Sequence, residues 1–376
     1  MGGVIPLPKP INELVRPSIL EIRPYVPGKP IEEVERELGL KDIIKLASNE
    51  NPLGPSPKAV VAMQKEVEKV NYYPDSNCYY LKEALAQHLS LTLENIILGN
   101  GSDELLKLIA EAFLKEGEEV IYGSPSFSEY EFVTRVMAGK VVEVPLDNLT
   151  YDLKSIAGKI NSQTKLIFLC NPNNPTGTMV KRQEVAEFMA QVPEDVLVVF
   201  DEAYFEYATD PEYPDGLDYV RQGRRAIVLR TFSKIYGLAG LRVGYGLATP
   251  DIIDCLMRVR EPFNVNSVAQ AGALAGLADQ EWVQRAQQVN TEGRDYWCRE
   301  LSAMGIDYAP TQANFLFINL KTSGAVVSQR LMEKGIIVRP GHFFGYPEYI
   351  RVTIGTKEQN ERFIQVLGQV LAELVV

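Results

Sequence analysis

The sequence predicts an α/β protein with a large domain, its mostly parallel sheet flanked by helices, and a smaller α+β domain. Two observations carry this expectation. Between about residues 56 and 255, helical patterns alternate with short apolar runs at 120–122, 141–144, 166–169, 196–200, 226–229 and 243–247. Strands that alternate with helices form largely parallel sheets. After 255 the pattern changes to long helices and then strands at 315–318, 336–338 and 350–354, as in a segregated α+β unit.

Taken in chain order, the first 40 residues are rich in proline and read as an extended arm followed by a short helix. The loop 99–102 leads into a helix with an apolar stripe at Leu105, Leu108, Ile109, Ala112 and Phe113. The run 196–200 (VLVVF) reads as a strand buried on both faces. The last helix opens with a capping box, Thr356 to Gln359, and carries Phe363, Val366, Leu367, Val370, Leu371 and Leu374 on one face. No glycine- and serine-rich linker divides the chain. The expected division is 41–255 for the large domain and 256–376 for the small one, with the arm at 1–40.

Composition excludes several classes. The chain has 376 residues, 46% hydrophobic and 23% charged, as in an ordinary soluble globular protein. A net charge of -11 opposes unspecific binding to nucleic acid or an anionic membrane, both of which need positive surface. No run reaches transmembrane length and the start lacks a basic region ahead of an apolar one, so the expected compartment is the cytoplasm. The four cysteines show no CxxC spacing and read as reduced, structural thiols. With only His88 and His342, a multi-histidine zinc site is excluded and no metal is expected. His88 reads as an ordinary helix residue; His342 lies in a Pro/Gly-rich loop near Arg339.

Three polar islands stand out: NPNNPTG at 171–177, DEAY at 201–204 and the segment around Lys234. Asp201 follows a buried strand, so its carboxylate emerges at the carboxyl edge where ligands sit in open α/β sheets. A carboxylate there needs a cationic partner, although a helix N-cap is an alternative role. Lys234 also follows an apolar run, and an amine in such a place has a lowered pKa suited to Schiff-base chemistry. A carbonyl cofactor with a protonatable ring nitrogen would use both groups. The loop 99–102 entering its helix offers free N–H groups to an anion, which Asp103 and Glu104 oppose unless they turn away. Thr231-x-x-Lys234 and Lys321-Thr322-Ser323 are similar to motifs of β-lactam-binding serine enzymes, but the nucleophilic serine is a threonine and no SDN occurs.

The motifs NPNNPTG, DEAY and TFSKIYGLAGLRVGYG (231–246) resemble the fold-type I aminotransferases, which depend on pyridoxal 5'-phosphate. Within them the chain is most similar to the histidinol-phosphate aminotransferase family. RPYVPG (23–28), LASNENPLGPSP (46–57), YPD (73–75), GNGSDE (99–104) and YIRVTIGT (349–356) extend the resemblance over nearly the whole chain. It implies a small domain built from both chain ends, so that the arm 1–40 contributes to it.

The resemblance also implies roles. Lys234 carries the cofactor and moves the proton between Cα and C4′, while Asp201 pairs with the ring nitrogen. Tyr204 and Asn174 hydrogen-bond the phenolate oxygen, and Phe127 stacks on the ring. Gly101, Ser102 and Asp103 offer backbone N–H groups to the phosphate, together with Thr231, Ser233 and Arg242. Tyr73 reaches the phosphate in the neighbouring subunit, making the site a property of a homodimer. Tyr25, Asn51, Asn174, Arg339 and Arg351 face the substrate.

Arg351 matches the clamp for an α-carboxylate, yet histidinol phosphate carries a phosphate instead. Bidentate arginines suit both anions, so the roles of Arg339 and Arg351 stay open. The expected reaction exchanges histidinol phosphate and imidazole-acetol phosphate against glutamate and 2-oxoglutarate. An aromatic amino-acid aminotransferase is the alternative, followed by a phosphothreonine decarboxylase; a noncatalytic binding protein of the same fold belongs to another class.

Overall fold

Hydrophobic runs that read as buried strands do form the centre of the molecule. The computed structural model describes residues 10–24 and 27–375, so Tyr25 lies outside the described residues. The strands are β1 (Ile44–Lys45), β2 (Ile96–Gly99), β3 (Glu119–Ser124), β4 (Lys140–Pro145), β5 (Thr164–Cys170), β6 (Leu197–Asp201) and β7 (Ala226–Thr231). They continue with β8 (Gly244–Ala248), β9 (Asp307–Tyr308), β10 (Phe315–Asn319), β11 (Ile336–Ile337), β12 (Arg339–Pro340) and β13 (Tyr349–Thr353).

Seven strands form one sheet in the order β2-β8-β7-β6-β5-β3-β4. The pairs among β3 to β7 are parallel, whereas β8 runs antiparallel to both β7 and β2. An apolar run does not state its direction. Here the connection from β7 to β8 holds only a 3₁₀ turn, Ala239–Leu241, and no helix to carry the chain back for a parallel pairing.

Every residue of β6 and β7 is buried, because helices cover both faces of the sheet. The helix Ser267–Ala278 adds Ala269, Ala273 and Leu277 to this first core. Its small residues allow close approach: a Cβ on Gly272 would stand 2.9 Å from Leu241 and 3.0 Å from Met63.

A second core surrounds the antiparallel sheet β12-β13-β10-β9 and takes Trp297, Phe363, Leu367 and Val370 from two helices. The capping box is formed: Thr356 N donates to Gln359 Oε1 at 2.9 Å, and Gln359 N to Thr356 Oγ1 at 3.4 Å. Leu46 packs in this second core, and β1 pairs with β11 in parallel. The division expected from sequence had put residues 41–46 with the large sheet and 267–278 with the small one; the packing of both follows their apolar side chains.

The arm is less extended than its prolines suggest. It holds a 3₁₀ turn, Ile11–Glu13, and a short helix, Pro17–Leu20, before the helix Ile31–Leu38. Proline at the first helical position has the required φ and loses no hydrogen bond there. Glu21 pairs with Arg135 at 2.6 Å, laying the arm against the large sheet's helices.

Candidate active site

Parallel strands of one sheet end side by side, so β5, β6 and β7 bring Cys170, Asp201 and Thr231 to a common edge. A cavity of about 250 Å³ opens there. One end suits an anion. The helix Gly101–Phe113 starts at this edge without a side-chain cap from Asn100, leaving its first N–H groups and its positive dipole end toward the cavity. Gly101 has φ +80°, and a Cβ there would meet Arg242 Nη2 at 2.7 Å.

Glu104 has turned away, its Oε2 accepting from Asn100 N at 2.5 Å and Asn264 Nδ2 at 2.7 Å. Asp103 stays and pairs with Arg242 Nη2 at 2.8 Å. Arg242 also donates to Ser233 Oγ at 3.4 Å, and Ser233 N donates to Thr231 Oγ1 at 3.0 Å. Ser102, Asp103, Thr231, Ser233 and Arg242 all line the cavity.

The other end suits a flat cationic ring. Asp201 is the last residue of β6 and 3% exposed; it caps no helix, since the next turn begins at Phe205. Its Oδ2 accepts from the Tyr130 hydroxyl at 2.7 Å, while Oδ1 is buried with no hydrogen-bond partner among the described residues. Burial raises its pKa to about 6, and the Tyr130 hydroxyl, the Ala203 amide and Lys234 pull the other way. An unsatisfied buried carboxylate oxygen is costly, and a protonated ring nitrogen would satisfy it. Half-buried Phe127 and Asn174 line the same space.

Lys234 faces both ends. Burial first, and then the nearby Arg351, lower its pKa to about 8, with Asp103 and Glu50 opposing. Its loop is pressed against residues 54–55: a Cβ on Gly237, at φ +68°, would stand 2.3 Å from Gly54 O. Tyr204 also lines the cavity, its ring centroid 5.7 Å from Lys234 Nζ. The Tyr204 hydroxyl accepts from Asn49 Nδ2 at 2.9 Å, which leaves its own proton available to donate.

Arg339 of β12 and Arg351 of β13 are paired across neighbouring strands. Neither is a lining residue of the cavity, and Arg351 reaches it through Asn174, which is one. Arg351 Nη1 donates to Asn174 Oδ1 at 2.5 Å and Nη2 to Ala47 O at 2.8 Å. Its guanidinium lies 5.2 Å from the Phe344 ring, and that of Arg339 lies 4.0 Å from Phe343.

Not every expected residue lies at the cavity. Asn51 Nδ2 donates to Ile235 O at 2.7 Å, and its Oδ1 accepts from Leu53 N. Both halves of its amide serve the main chain, so the structure gives it a part in holding the Lys234 loop and no cavity face. Tyr73 is 83% exposed, its ring stacked on Phe263 at 4.7 Å. His342 is exposed beside Phe343. Sequence reasoning missed Tyr130 and Asn49. For Tyr130 the available signal was its place three residues after Phe127; for Asn49 it was the polar run SNEN, where asparagine tolerates the left-handed φ of 56°.

A lysine of lowered basicity, a buried carboxylate with an open oxygen and an anion-binding helix end equip an enzyme that works on amines through a carbonyl group. The family model described as "Aminotransferase class I and II" matches residues 41–367. A histidinol-phosphate aminotransferase of Moorella thermoacetica is 55% identical over 358 residues, covering 95% of this chain and 93% of that protein. Histidinol-phosphate aminotransferase 2 of Carboxydothermus hydrogenoformans is 49% identical, covering 95% and 99%. The crystal structure of a histidinol-phosphate aminotransferase from Sinorhizobium meliloti in complex with pyridoxal-5'-phosphate is similar with a TM-score of 0.88 at 28% identity, covering 96% of this chain and 98% of that one. The chain belongs to the class I and II aminotransferase family.

Proposed function

We propose that this chain is a pyridoxal 5'-phosphate-dependent aminotransferase that acts on histidinol phosphate in histidine biosynthesis, with glutamate and 2-oxoglutarate as the second pair. The observation that carries the reading is Asp201, which lines the cavity together with Lys234 and whose buried Oδ1 has no hydrogen-bond partner among the described residues. When bound, the cofactor supplies a carbonyl for the substrate amine and a ring that accepts the electron pair left at Cα.

The residues divide the remaining work. Ser102, Asp103, Thr231, Ser233 and Arg242 hold the phosphate, chiefly through N–H groups, hydroxyls and a guanidinium. Phe127 covers a ring face, and Asp201 keeps the ring nitrogen protonated. Tyr204 and Asn174 donate to the phenolate oxygen. Lys234 moves the proton at Cα, and its pKa, lowered to about 8, leaves a usable neutral fraction near physiological pH that a free lysine at 10.5 would lack.

The substrate reading rests on the paired arginines. Arg339 and Arg351 face the same side of neighbouring strands, with Phe343 and Phe344 beside them. A phosphate with up to two charges matches two guanidinium groups. The aromatic rings favour a second reading, an aromatic amino-acid aminotransferase, in which a carboxylate takes Arg351.

A homodimer is part of the proposal. Tyr72, Tyr73 and Tyr80 are 74%, 83% and 71% exposed, and Tyr73 stacks on exposed Phe263; exposed apolar residues of this size are common at interaction sites. Tyr73 would then reach the site of a second copy. Cys78, Cys170, Cys255 and Cys298 are free thiols, which supports a reducing, cytoplasmic setting. No helix among the described residues is long and apolar enough to cross a membrane.

The test is kcat/KM of the purified holoprotein with histidinol phosphate, histidinol, phenylalanine and phosphothreonine. Histidinol phosphate is expected to lead, with unphosphorylated histidinol lower by roughly 10⁴ because the charge-assisted contacts between a phosphate and the two guanidinium groups are not made. A preference for phenylalanine would replace this substrate reading with the second one.

A further inference from the structure

We propose that Tyr130 is a positioning residue that fixes on which side of the contact between Asp201 and the cofactor's ring nitrogen the shared proton rests. The inference rests on the cofactor reading above and adds a residue for which neither motif nor comparison supplies a role.

The geometry is specific. Tyr130 and Asp201 are 0% and 3% exposed, and their 2.7 Å bond engages Oδ2 only. One oxygen fixed by a rigid donor leaves Oδ1 aimed in a single direction, and Oδ1 is the oxygen without a partner among the described residues. Rigidity comes from packing. The Tyr130 ring stacks on Phe168 at 4.7 Å with planes 10° apart, and meets Phe127 edge-on at 5.8 Å. Phe127 and Tyr130 lie three residues apart, so one short segment presents both the ring that covers the cofactor and the hydroxyl that holds its counter-ion.

Direction follows from chemistry. Burial keeps the phenol of Tyr130 un-ionised, so the bond runs from hydroxyl to carboxylate and favours the charged form of Asp201. Among the groups facing Asp201, Cys170 and Tyr151 keep their protons because burial raises them. Lys234 favours the charged form and Asp103 opposes it. Without the Tyr130 hydroxyl, Asp201 becomes the stronger base and draws the proton off the ring nitrogen, weakening the electron sink.

The experiment uses holoprotein loaded with pyridoxal 5'-phosphate labelled with ¹⁵N in the ring. The ring resonance should report a protonated nitrogen in the wild type and shift toward the neutral position in Tyr130→Phe, which keeps the stacked ring. Alongside it, the affinity for the cofactor is compared with that for its deaza analogue, in which carbon replaces the ring nitrogen. Tyr130→Phe should narrow that preference by about tenfold, the worth of a hydrogen bond to a charged group, with little change for the deaza analogue, whose binding also reports an intact fold. In an Asp201→Asn background, Tyr130→Phe should narrow it no further. An unshifted ¹⁵N resonance, or equal losses for both ligands, overturns the inference. A wild-type protein that fails to bind pyridoxal 5'-phosphate overturns instead the reading on which it rests, and the inference with it.

Discussion

Arg351 on β13 reaches across to the loop after β5, where its Nη1 donates to Asn174 Oδ1 at 2.5 Å. The guanidinium that should clamp a substrate anion is therefore held by a residue of the cofactor cavity, and its plane is already set before any substrate arrives. Arg351→Lys keeps the charge but loses the fork. It should lower kcat/KM for the amino donor by roughly 10- to 100-fold while cofactor affinity stays within about twofold. Steady-state kinetics together with a cofactor titration check this, and an equal loss in both would show that Arg351 acts mainly on the cavity's shape.

Lys234 sets a pH dependence. With its pKa lowered from 10.5 to about 8, the neutral fraction rises from about a tenth at pH 7 to about nine tenths at pH 9. Capture of the cofactor by apoprotein should accelerate over this range and level off above it, followed by absorbance in a stopped-flow instrument. Lys234→Ala should abolish turnover with little change in Tm, because the lysine supplies chemistry and little apolar burial. Borohydride should fix the cofactor to the peptide containing Lys234.

Two glycines separate backbone strain from crowding. Gly101 and Gly117 share a φ of +80°, but a Cβ meets Arg242 Nη2 only at Gly101 and has nothing within 4 Å at Gly117. Both alanine variants should lose about 1 kcal/mol of stability. Only Gly101→Ala should also weaken cofactor binding, by about fivefold or more, since Arg242 is pushed off its anion position. Denaturant melts and cofactor titrations read the two effects apart; equal cofactor affinities would remove Arg242 from the phosphate site.

Tyr73 and Lys234 should serve one site from two copies of the chain. Mixing the inactive Lys234→Ala protein with a strongly impaired Tyr73→Ala protein should restore activity on subunit exchange, because one site of each heterodimer then carries neither change. Absence of recovery in a mixture that demonstrably exchanges would remove Tyr73 from the site.

The legible parts of this protein are those with a local signature. The run 196–200 places β6 within a residue of its observed bounds, Leu197–Asp201, because burial on both faces leaves an uninterrupted apolar stretch. The Thr356 and Gln359 box is likewise written within four residues. Lys234, Arg242 and Asn174 stand out because their motifs are polar islands in apolar surroundings. Tyr130 and Asn49 do not. Their bonds, to Asp201 and Tyr204, span 71 and 155 positions; a place three residues after Phe127 and a polar run at 48–51 signal nearness to the site but not these partners. The direction of β8 was hidden for a similar reason, since a fully buried strand has the same pattern either way. The bonds of Asn51 to Ile235 and Leu53 have no local signature either, since a polar residue in a polar run can turn its amide to the main chain or to a cavity.

Asn49 N donates to Thr353 Oγ1, 304 positions later in the chain, and the same asparagine holds the Tyr204 hydroxyl. On a ribosome adding about 5–20 residues per second, Asn49 therefore waits roughly 15–60 s for its partner. Strands β2 to β8 are all made in that interval, so the large sheet has time to assemble while Asn49, which holds Tyr204, still lacks Thr353. A nascent chain stalled before Thr353 should accordingly hold cofactor poorly even with Lys234 already synthesised. Loading of the enzyme should thereby wait for the last stretch of its translation.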